Sequence, residues 1–548
     1  EPIHFYTEEK EKLETEFTAL KKKILQTSIL RLVTFLVVCV SVYAIIYGQT
    51  NAVILTIVGL ILFAFFIVKY VNLQRKKDLV SAKLEINKTE IEVLNRNFHS
   101  LETGEEFINP AHFYSNDIDL FGVGSFFQYI NRTVTDKGKK LLANLLLDNS
   151  IESIVAKQEA VKELSSKIKW RQHFSALASL VSVKKDTNTI VSWLRNYEFR
   201  FSKFIAFFPK IFGVISVVFI GLLSFSIIPF SVMVLWFFLG LGITAFYFKK
   251  VQDLYNETGK TRETFKQYHQ LLNEIEKETF TSKNLIEKQK IIQSEEKKAS
   301  VIFKEFSKVL DAFDQRNNIV IVVFGNALFL WDINNASRVE KWIKNYKHTV
   351  EQWFDVVAFF DAQNTLANFK YNHPKFIFPK ISNQKSVIKG KNLGHPLLDS
   401  CKRIDNNFTI NKEQFFIVTG ANMAGKSTFL RTVSLSIVMA NCGLPVCGEE
   451  FNYSPIKLIT SMRTSDSLTE DESYFYSELK RLKFIVDEIA NEDYFIILDE
   501  ILKGTNSRDK AIGSKKFVEK LSNSKSTGII ATHDVSLCEL ANEFKDIE

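Results

Sequence analysis

Residues 419–428 read Thr-Gly-Ala-Asn-Met-Ala-Gly-Lys-Ser-Thr and follow directly on the apolar run Phe415-Phe416-Ile417-Val418. No other stretch restricts the fold as tightly, because a loop of this composition functions only between a strand and a helix. Gly420 and Gly425 let the backbone curl, so that successive N–H groups through Ala421, Asn422, Met423 and Ala424 turn toward phosphate oxygens. Lys426 has the reach for β- and γ-phosphates, the Ser427 hydroxyl can ligate Mg²⁺, and Thr428 completes the nucleotide-binding set. The apolar run supplies the strand, and Phe429-Leu430-Arg431 continues into a helix whose N-terminus adds anion affinity. The pattern predicts an α/β P-loop domain, a mostly parallel sheet flanked by helices, that takes a nucleoside triphosphate with Mg²⁺.

Hydrolysis needs carboxylates downstream. Tyr494-Phe495-Ile496-Ile497-Leu498-Asp499-Glu500 is an apolar run ending in two of them. A continuous apolar run suits a strand buried on both faces of a parallel sheet, and ligands sit at the carboxyl ends of such strands. Asp499 is then placed to hold Mg²⁺ through water, and Glu500 to polarise the attacking water. An isolated Asp-Glu pair is more often two solvated acids; a phosphate loop 73 residues upstream, from Lys426 to Asp499, favours the catalytic role. Gly528-Ile529-Ile530-Ala531-Thr532-His533 predicts another short buried strand, and His533 at its end is within reach of a γ-phosphate.

Together these segments resemble the ATPase domain of the MutS family of DNA mismatch-repair proteins. Asn422-Met423 inside the loop is that family's variant, with Ala421 for Pro and Ala424 for Gly as mild departures. Asp499-Glu500-Ile501-Leu502-Lys503-Gly504-Thr505 is similar to the family's Asp-Glu-Ile-Gly-Arg-Gly-Thr, although Lys503 loses the bidentate fork of Arg. Glu472-Ser473-Tyr474-Phe475-Tyr476-Ser477-Glu478-Leu479 is similar to Ser-Thr-Phe-x-x-Glu-Met, whose serine reaches into the partner subunit's nucleotide site; Ser473 is the matching position. Ala531-Thr532-His533 matches the histidine motif, which implies a catalytic role for His533 beside Glu500. Gly394-His395-Pro396-Leu397 resembles the element that opens the domain, with His395 structural.

Upstream, the stretch from Asn131 to Leu141 looks like the start of the family's helical core. Its own residues agree, since Thr135 suits the N-cap of an amphipathic helix carrying Leu141, Leu142, Leu145 and Leu146. The resemblance covers roughly residues 118–200 and 300–548. It implies a homodimer through the ATPase domain that switches conformation with ATP, and DNA binding linked to mismatch repair. The family's mismatch wedge, a Phe-x-Glu motif in an amino-terminal domain, is not visible in residues 1–117, so mismatch specificity is not expected. The chain ends 15 residues past His533 and begins with Glu1, which reads as a short or absent carboxyl-terminal segment and a trimmed start.

Two uncharged runs, residues 32–68 and 211–248, constrain the rest. As one helix, the first run of 37 residues would extend about 56 Å, nearly twice the ~30 Å hydrocarbon core of a bilayer. Each run therefore predicts two short spans joined by a turn, at Gly48-Gln49-Thr50-Asn51 in the first and near Pro229 in the second. Leu, Ile, Val and Phe surround each helix without a polar stripe, which disfavours a hairpin buried in a soluble core. Lys21, Lys22, Lys23, Arg31, Arg75, Lys76 and Lys77 flank the first run; Arg200, Lys203, Lys210, Lys249 and Lys250 flank the second; the turns carry no Lys or Arg. The positive-inside rule then puts both hairpins in the inner membrane, entering from and returning to the cytoplasm, with the ATPase domain on that side.

The expected organisation is a cytoplasmic amphipathic helix over 1–25, a transmembrane hairpin over 26–72 and a helical linker over 73–117. The first half of an all-α core follows over 118–200, then a second hairpin over 201–250, lever and core helices over 251–375, and the ATPase domain over 376–548. Apolar stripes Leu13, Phe17, Leu20, Ile24 and Val80, Leu84, Ile91, Leu94, Phe98 predict helical extensions of the first hairpin that pack on each other or on a partner. A net charge of +8 over 548 residues suits DNA or anionic lipid without choosing between them. Five widely spaced cysteines without a Cys-x-x-Cys pair argue against disulfides or zinc. The rival function is an ATP-driven transporter of the ABC type. Against it, no Leu-Ser-Gly-Gly-Gln-like segment precedes the Asp-Glu strand, and four spans are few for a translocation path. A non-catalytic scaffold has no physical need to keep Lys426, Ser427, Asp499 and Glu500 together.

Overall fold

A computed structural model of the chain describes residues 1–180, 187–259, 261–293, 295–382, 386–420, 425–463, 474–502, 507–524, 526–533, 537–538 and 547–548. It begins with two antiparallel helices, Pro2–Ile46 and Ala52–Leu94, joined by a tight turn. Both are continuous, so the amphipathic helix expected over 1–25 is part of the first long helix rather than a separate element. The expected helical linker is helical only to Leu94. Residues 95–125, where Asn95, Asn97, Gly104, Pro110 and Gly122 favour turns, hold one short 3-10 helix, Glu105–Phe107.

The predicted stripes meet across this hairpin. Leu13 and Leu20 are buried with Val80 and Leu84, and Phe17 and Leu73 pack against them. Higher up, the Thr56 hydroxyl donates to Ser41 Oγ at 2.8 Å, while Leu32, Val40, Ile54, Ile61 and Phe65 face outward. Among the described residues, four helices are long and apolar enough to cross a membrane: Pro2–Ile46, Ala52–Leu94, Phe204–Ser224 and Phe230–Thr258. The last two are held by a stack of Phe212 on Trp236, with ring centroids 4.2 Å apart, and by the Trp236 indole N–H donating to Ser216 Oγ at 2.8 Å. Pro229 is the N-cap of its helix, outside the hydrogen-bonded turns that proline would break.

Beneath the second hairpin lies an aromatic core in which Phe306 stacks on Trp342 at 3.8 Å and Phe265, Phe303, Trp353 and Phe354 interlock. The helix Val350–Asn372 runs out of it into a second core shared with the sheet domain. Along this path Thr135 caps the helix Asp136–Leu147 by accepting from the Gly138 N–H at 3.0 Å, and Leu142 and Leu146 are fully buried. A polar knot ties the first hairpin to the same helix. Glu90 accepts from Arg132 Nε and from Asn372 Nδ2, each at 2.7 Å, and the Tyr6 hydroxyl donates to Asn372 Oδ1 at 2.8 Å.

Among the described residues, the carboxyl-terminal part contains two four-stranded sheets. In one, Ser386–Leu393 pairs antiparallel with Asn406–Asn411 and with Glu450–Tyr453, which in turn lies parallel to Lys380–Ile381. In the other, Phe415–Thr419, Thr527–Thr532, Tyr494–Asp499 and Lys457–Ser461 lie side by side in that order, all parallel. Its two central strands are buried along nearly their whole length, as the continuous apolar runs require.

Candidate nucleotide site

Parallel strands bring their carboxyl ends to one edge of the sheet, and three chemically distinct segments converge there. Phe415–Thr419 delivers Gly420 and, past the loop, the helix Lys426–Asn441. That helix starts at Gly425, whose φ of +84° lies in the left-handed region that a side chain would strain. Tyr494–Asp499 delivers Asp499 and Glu500, and Thr527–Thr532 delivers His533.

The side chains meet. The Ser427 hydroxyl donates to Asp499 Oδ2 at 2.7 Å. The Lys426 ammonium donates to the Gly420 carbonyl and lies 3.0 Å from His533 Nδ1. The other ring nitrogen of His533 is 2.6 Å from Glu500 Oε1. Glu500 is itself held in the left-handed region, φ +54°, with its N–H donating to the Ala531 carbonyl of the neighbouring strand at 2.9 Å. Such a conformation costs energy in a non-glycine residue. Buried Ile501 and Leu502 anchor the turn, which aims the Glu500 carboxylate at His533.

Ser427 and Asp499 offer one hydroxyl and one carboxylate side by side, hard oxygen donors of the kind Mg²⁺ takes while keeping waters and binding phosphates. Among the described residues no group of three or more His, Cys, Asp or Glu side chains could form an all-protein cage. The donor set fits a magnesium ion delivered with a nucleotide. Ala421, Asn422, Met423 and Ala424 of the expected loop, and Ser473, lie outside the described residues, as do Lys503, Gly504 and Thr505. Thr428 sits in the first turn of the helix, its carbonyl accepting from Thr432 Oγ1 at 2.7 Å.

Residues 416–548 match the family described as MutS domain V. The "DNA mismatch repair protein MutS" of Syntrophomonas wolfei is 27% identical over 311 residues, 55% of this chain and 32% of that protein. That of Halothermothrix orenii is 32% identical over 192 residues, 33% of this chain and 20% of the relative. The human "MutS protein homolog 4" is 28% identical over 211 residues, 38% of this chain and 22% of the relative. The carboxyl-terminal part of the chain, residues 416–548, is a MutS-family domain. The chain spans about a third or less of the length of these curated relatives.

What the sequence did not point to beside this MutS-family domain is the bracing of the site from residues 96–119. Asp119 forms ion pairs with Arg431, on the helix that follows the phosphate loop, at 3.0 Å and with Arg463, past the edge strand. Asp117 accepts from the Thr460 hydroxyl at 2.5 Å and the Arg463 N–H at 2.8 Å. Arg96 donates to the carbonyls of Leu397 and Leu398 beside His395. Burial, with the nearby Arg431 guanidinium, pushes the His395 imidazole down to about 4, which keeps it neutral and suits a packing role. Separations of 300 residues and more hide these contacts from any spacing pattern.

Proposed function

We propose that this chain is a membrane-anchored MutS-family ATPase that binds and hydrolyses Mg²⁺-ATP as a homodimer and uses the cycle to change conformation. The observation that carries it is the convergence of Lys426, Ser427, Asp499, Glu500 and His533 at one edge of a parallel sheet. Lys426 exchanges its contacts with Gly420 and His533 for phosphate oxygens. Ser427 and Asp499 hold the metal, which neutralises charge on the β- and γ-phosphates when bound. Glu500 polarises the attacking water, and His533, already touching both Lys426 and Glu500, registers the γ-phosphate.

Ser473 completes the partner's site in this proposal, so hydrolysis depends on pairing of two chains. The membrane half is supported by the four long apolar helices and their outward-facing Leu, Ile, Val and Phe side chains. The cationic flanks orient both hairpins toward a cytoplasmic ATPase domain. DNA is the proposed macromolecular ligand through kinship with the mismatch-repair proteins, without specificity for mismatches.

Glu500→Gln is the decisive variant. It should bind ATP with Mg²⁺ normally and hydrolyse it about 10²–10⁴ times more slowly, the usual contribution of a positioned general base. Lys426→Ala should weaken nucleotide binding itself. Wild-type turnover in Glu500→Gln would remove Glu500 from the chemistry and with it the proposed mechanism.

A further inference from the structure

Residues 317–331, Asn-Asn-Ile-Val-Ile-Val-Val-Phe-Gly-Asn-Ala-Leu-Phe-Leu-Trp, form another uncharged run that follows the helix Ala299–Asp314. Fifteen residues at helical rise extend about 22 Å, too short to cross a ~30 Å hydrocarbon core. The two ends of the run do not point apart. Arg316 immediately before it and Asp332 immediately after it form a nearly buried ion pair at 3.4 Å, so the segment leaves and returns at one level. Phe248, Tyr255 and Phe313 surround the Arg316 guanidinium at that level. Phe248 is also the last residue of the uncharged part of the second hairpin.

Between these ends the segment climbs the hairpin. Its π-helical turn Ile321–Gly325 and short helix Asn326–Phe329 lie against both membrane-candidate helices. Ser216 Oγ donates to the Leu328 carbonyl at 2.6 Å, and Gly240 has no side chain because the Ala327 backbone occupies that space. Phe324 meets Phe237 edge-on, with ring centroids 5.8 Å apart. Phe237 lies eleven residues above Phe248, a climb of about 17 Å, which is roughly half the hydrocarbon thickness.

The far side of the segment has no cover. Ile319 is 77% exposed, Val320 57%, Phe324 55% and Phe329 40%. Of its three asparagine side chains, Asn317 and Asn318 are exposed at the end next to Arg316, and Asn326, higher in the segment, is buried. Asn318 Oδ1 accepts from the Val320 N–H at 3.0 Å and Asn326 Oδ1 accepts from the Asp332 N–H at 2.9 Å. Backbone satisfied within the segment, an apolar outer face and support from flanking helices are the conditions under which broken helices exist in hydrocarbon.

We infer that residues 317–331 are a re-entrant segment, inserted from the cytoplasmic side to about the midplane of the bilayer beside the second hairpin, with Ile319, Val320 and Phe324 against acyl chains. This rests on the membrane assignment of the hairpins, and the two fail differently. The full chain in phosphatidylcholine–phosphatidylglycerol vesicles is photolysed with a membrane-partitioning aryl diazirine, and labelled peptides are mapped by mass spectrometry. Label is expected in residues 32–68, 211–248 and 317–331, with the buried helix Val350–Asn372 at background. Phe324→Lys should disfavour insertion of the segment about a hundredfold and remove its label while residues 211–248 keep theirs. Labelled hairpins with residues 317–331 at background would overturn the inference alone, and would be the result if a protein partner covered that face. Absence of label everywhere would overturn the membrane assignment and the inference with it.

Discussion

His533 Nε2 lies 2.6 Å from Glu500 Oε1, joining the ends of two neighbouring parallel strands. Because the same ring also touches Lys426, one imidazole bridges the group expected to hold phosphate and the group expected to activate water. His533→Ala should therefore leave ATP binding nearly intact and lower turnover by about tenfold to a hundredfold, less than Glu500→Gln, since it orients the base rather than replacing it. Equal loss of ATP affinity and turnover would instead assign His533 to ground-state binding.

The shared site can be tested by mixing. Chains carrying Ser473→Ala and chains carrying Lys426→Ala should each be inactive alone. A mixed dimer holds one composite site with both residues intact, so partial recovery of ATPase activity is expected on mixing. Activity no greater than the sum of the separate preparations would argue that each chain works by itself.

Acid should loosen the junction between helical core and sheet domain. His373 sits there with Nδ1 near the Phe369 carbonyl and Nε2 near the Tyr129 hydroxyl, each at 2.9 Å. A neutral ring that donates from Nδ1 and accepts on Nε2 satisfies both. Burial, chiefly, pushes its pKa down to about 4, with Arg96 and Lys370 adding to the effect and Glu90 opposing it. The unfolded chain takes up the proton near 6.5, so the stability this group supplies is full above that pH. It is lost as pH falls toward about 4 and amounts to about 3 kcal/mol. Thermal unfolding of His373→Gln should depend less steeply on pH between these limits than wild type. An unchanged slope would exclude His373 as the titrating group.

Removing one partner from the Glu90–Arg132 pair leaves a buried charge without compensation. Glu90→Gln should therefore destabilise the chain by about 3 kcal/mol or more, detectable as a lowered Tm. A change within the few tenths of a kcal/mol typical of exposed pairs would mean that water reaches Arg132 easily.

Topology has a direct assay. A cysteine at Gln49 should react with an impermeant thiol reagent added outside the cell, and one at Lys76 should not. The reverse pattern would invert the orientation drawn from the flanking Lys and Arg residues.

The nucleotide site was legible because each of its parts is local. Strands 415–419 and 494–499 announce themselves as apolar runs, and the chemistry sits in the one or two residues that follow. The helix after Thr135 and the facing stripes Leu13, Leu20 and Val80, Leu84 were legible for the same reason, since each is a short periodic pattern. Glu90, Asp117 and Asp119 carry no such signal, because their partners come from distant parts of the chain and look in sequence like ordinary surface acids. The run 317–331 falls within the stretch expected as lever and core helices, and the Arg316–Asp332 closure is what distinguishes it.

The helix Val350–Asn372 contributes Trp353, Phe354 and Phe360 to the core under the second hairpin and Leu366 and Phe369 to the core under the sheets. A rod seated firmly at both ends transmits torque in either direction. Movement begun at the phosphate loop would reach the helices proposed to face lipid as tilt instead of dissipating in a hinge. Conversely, a change in bilayer thickness or tension that tilts those helices would alter the energy of closing the nucleotide site. Turnover measured in detergent and in bilayers of different acyl length should then differ even when ATP and magnesium are saturating.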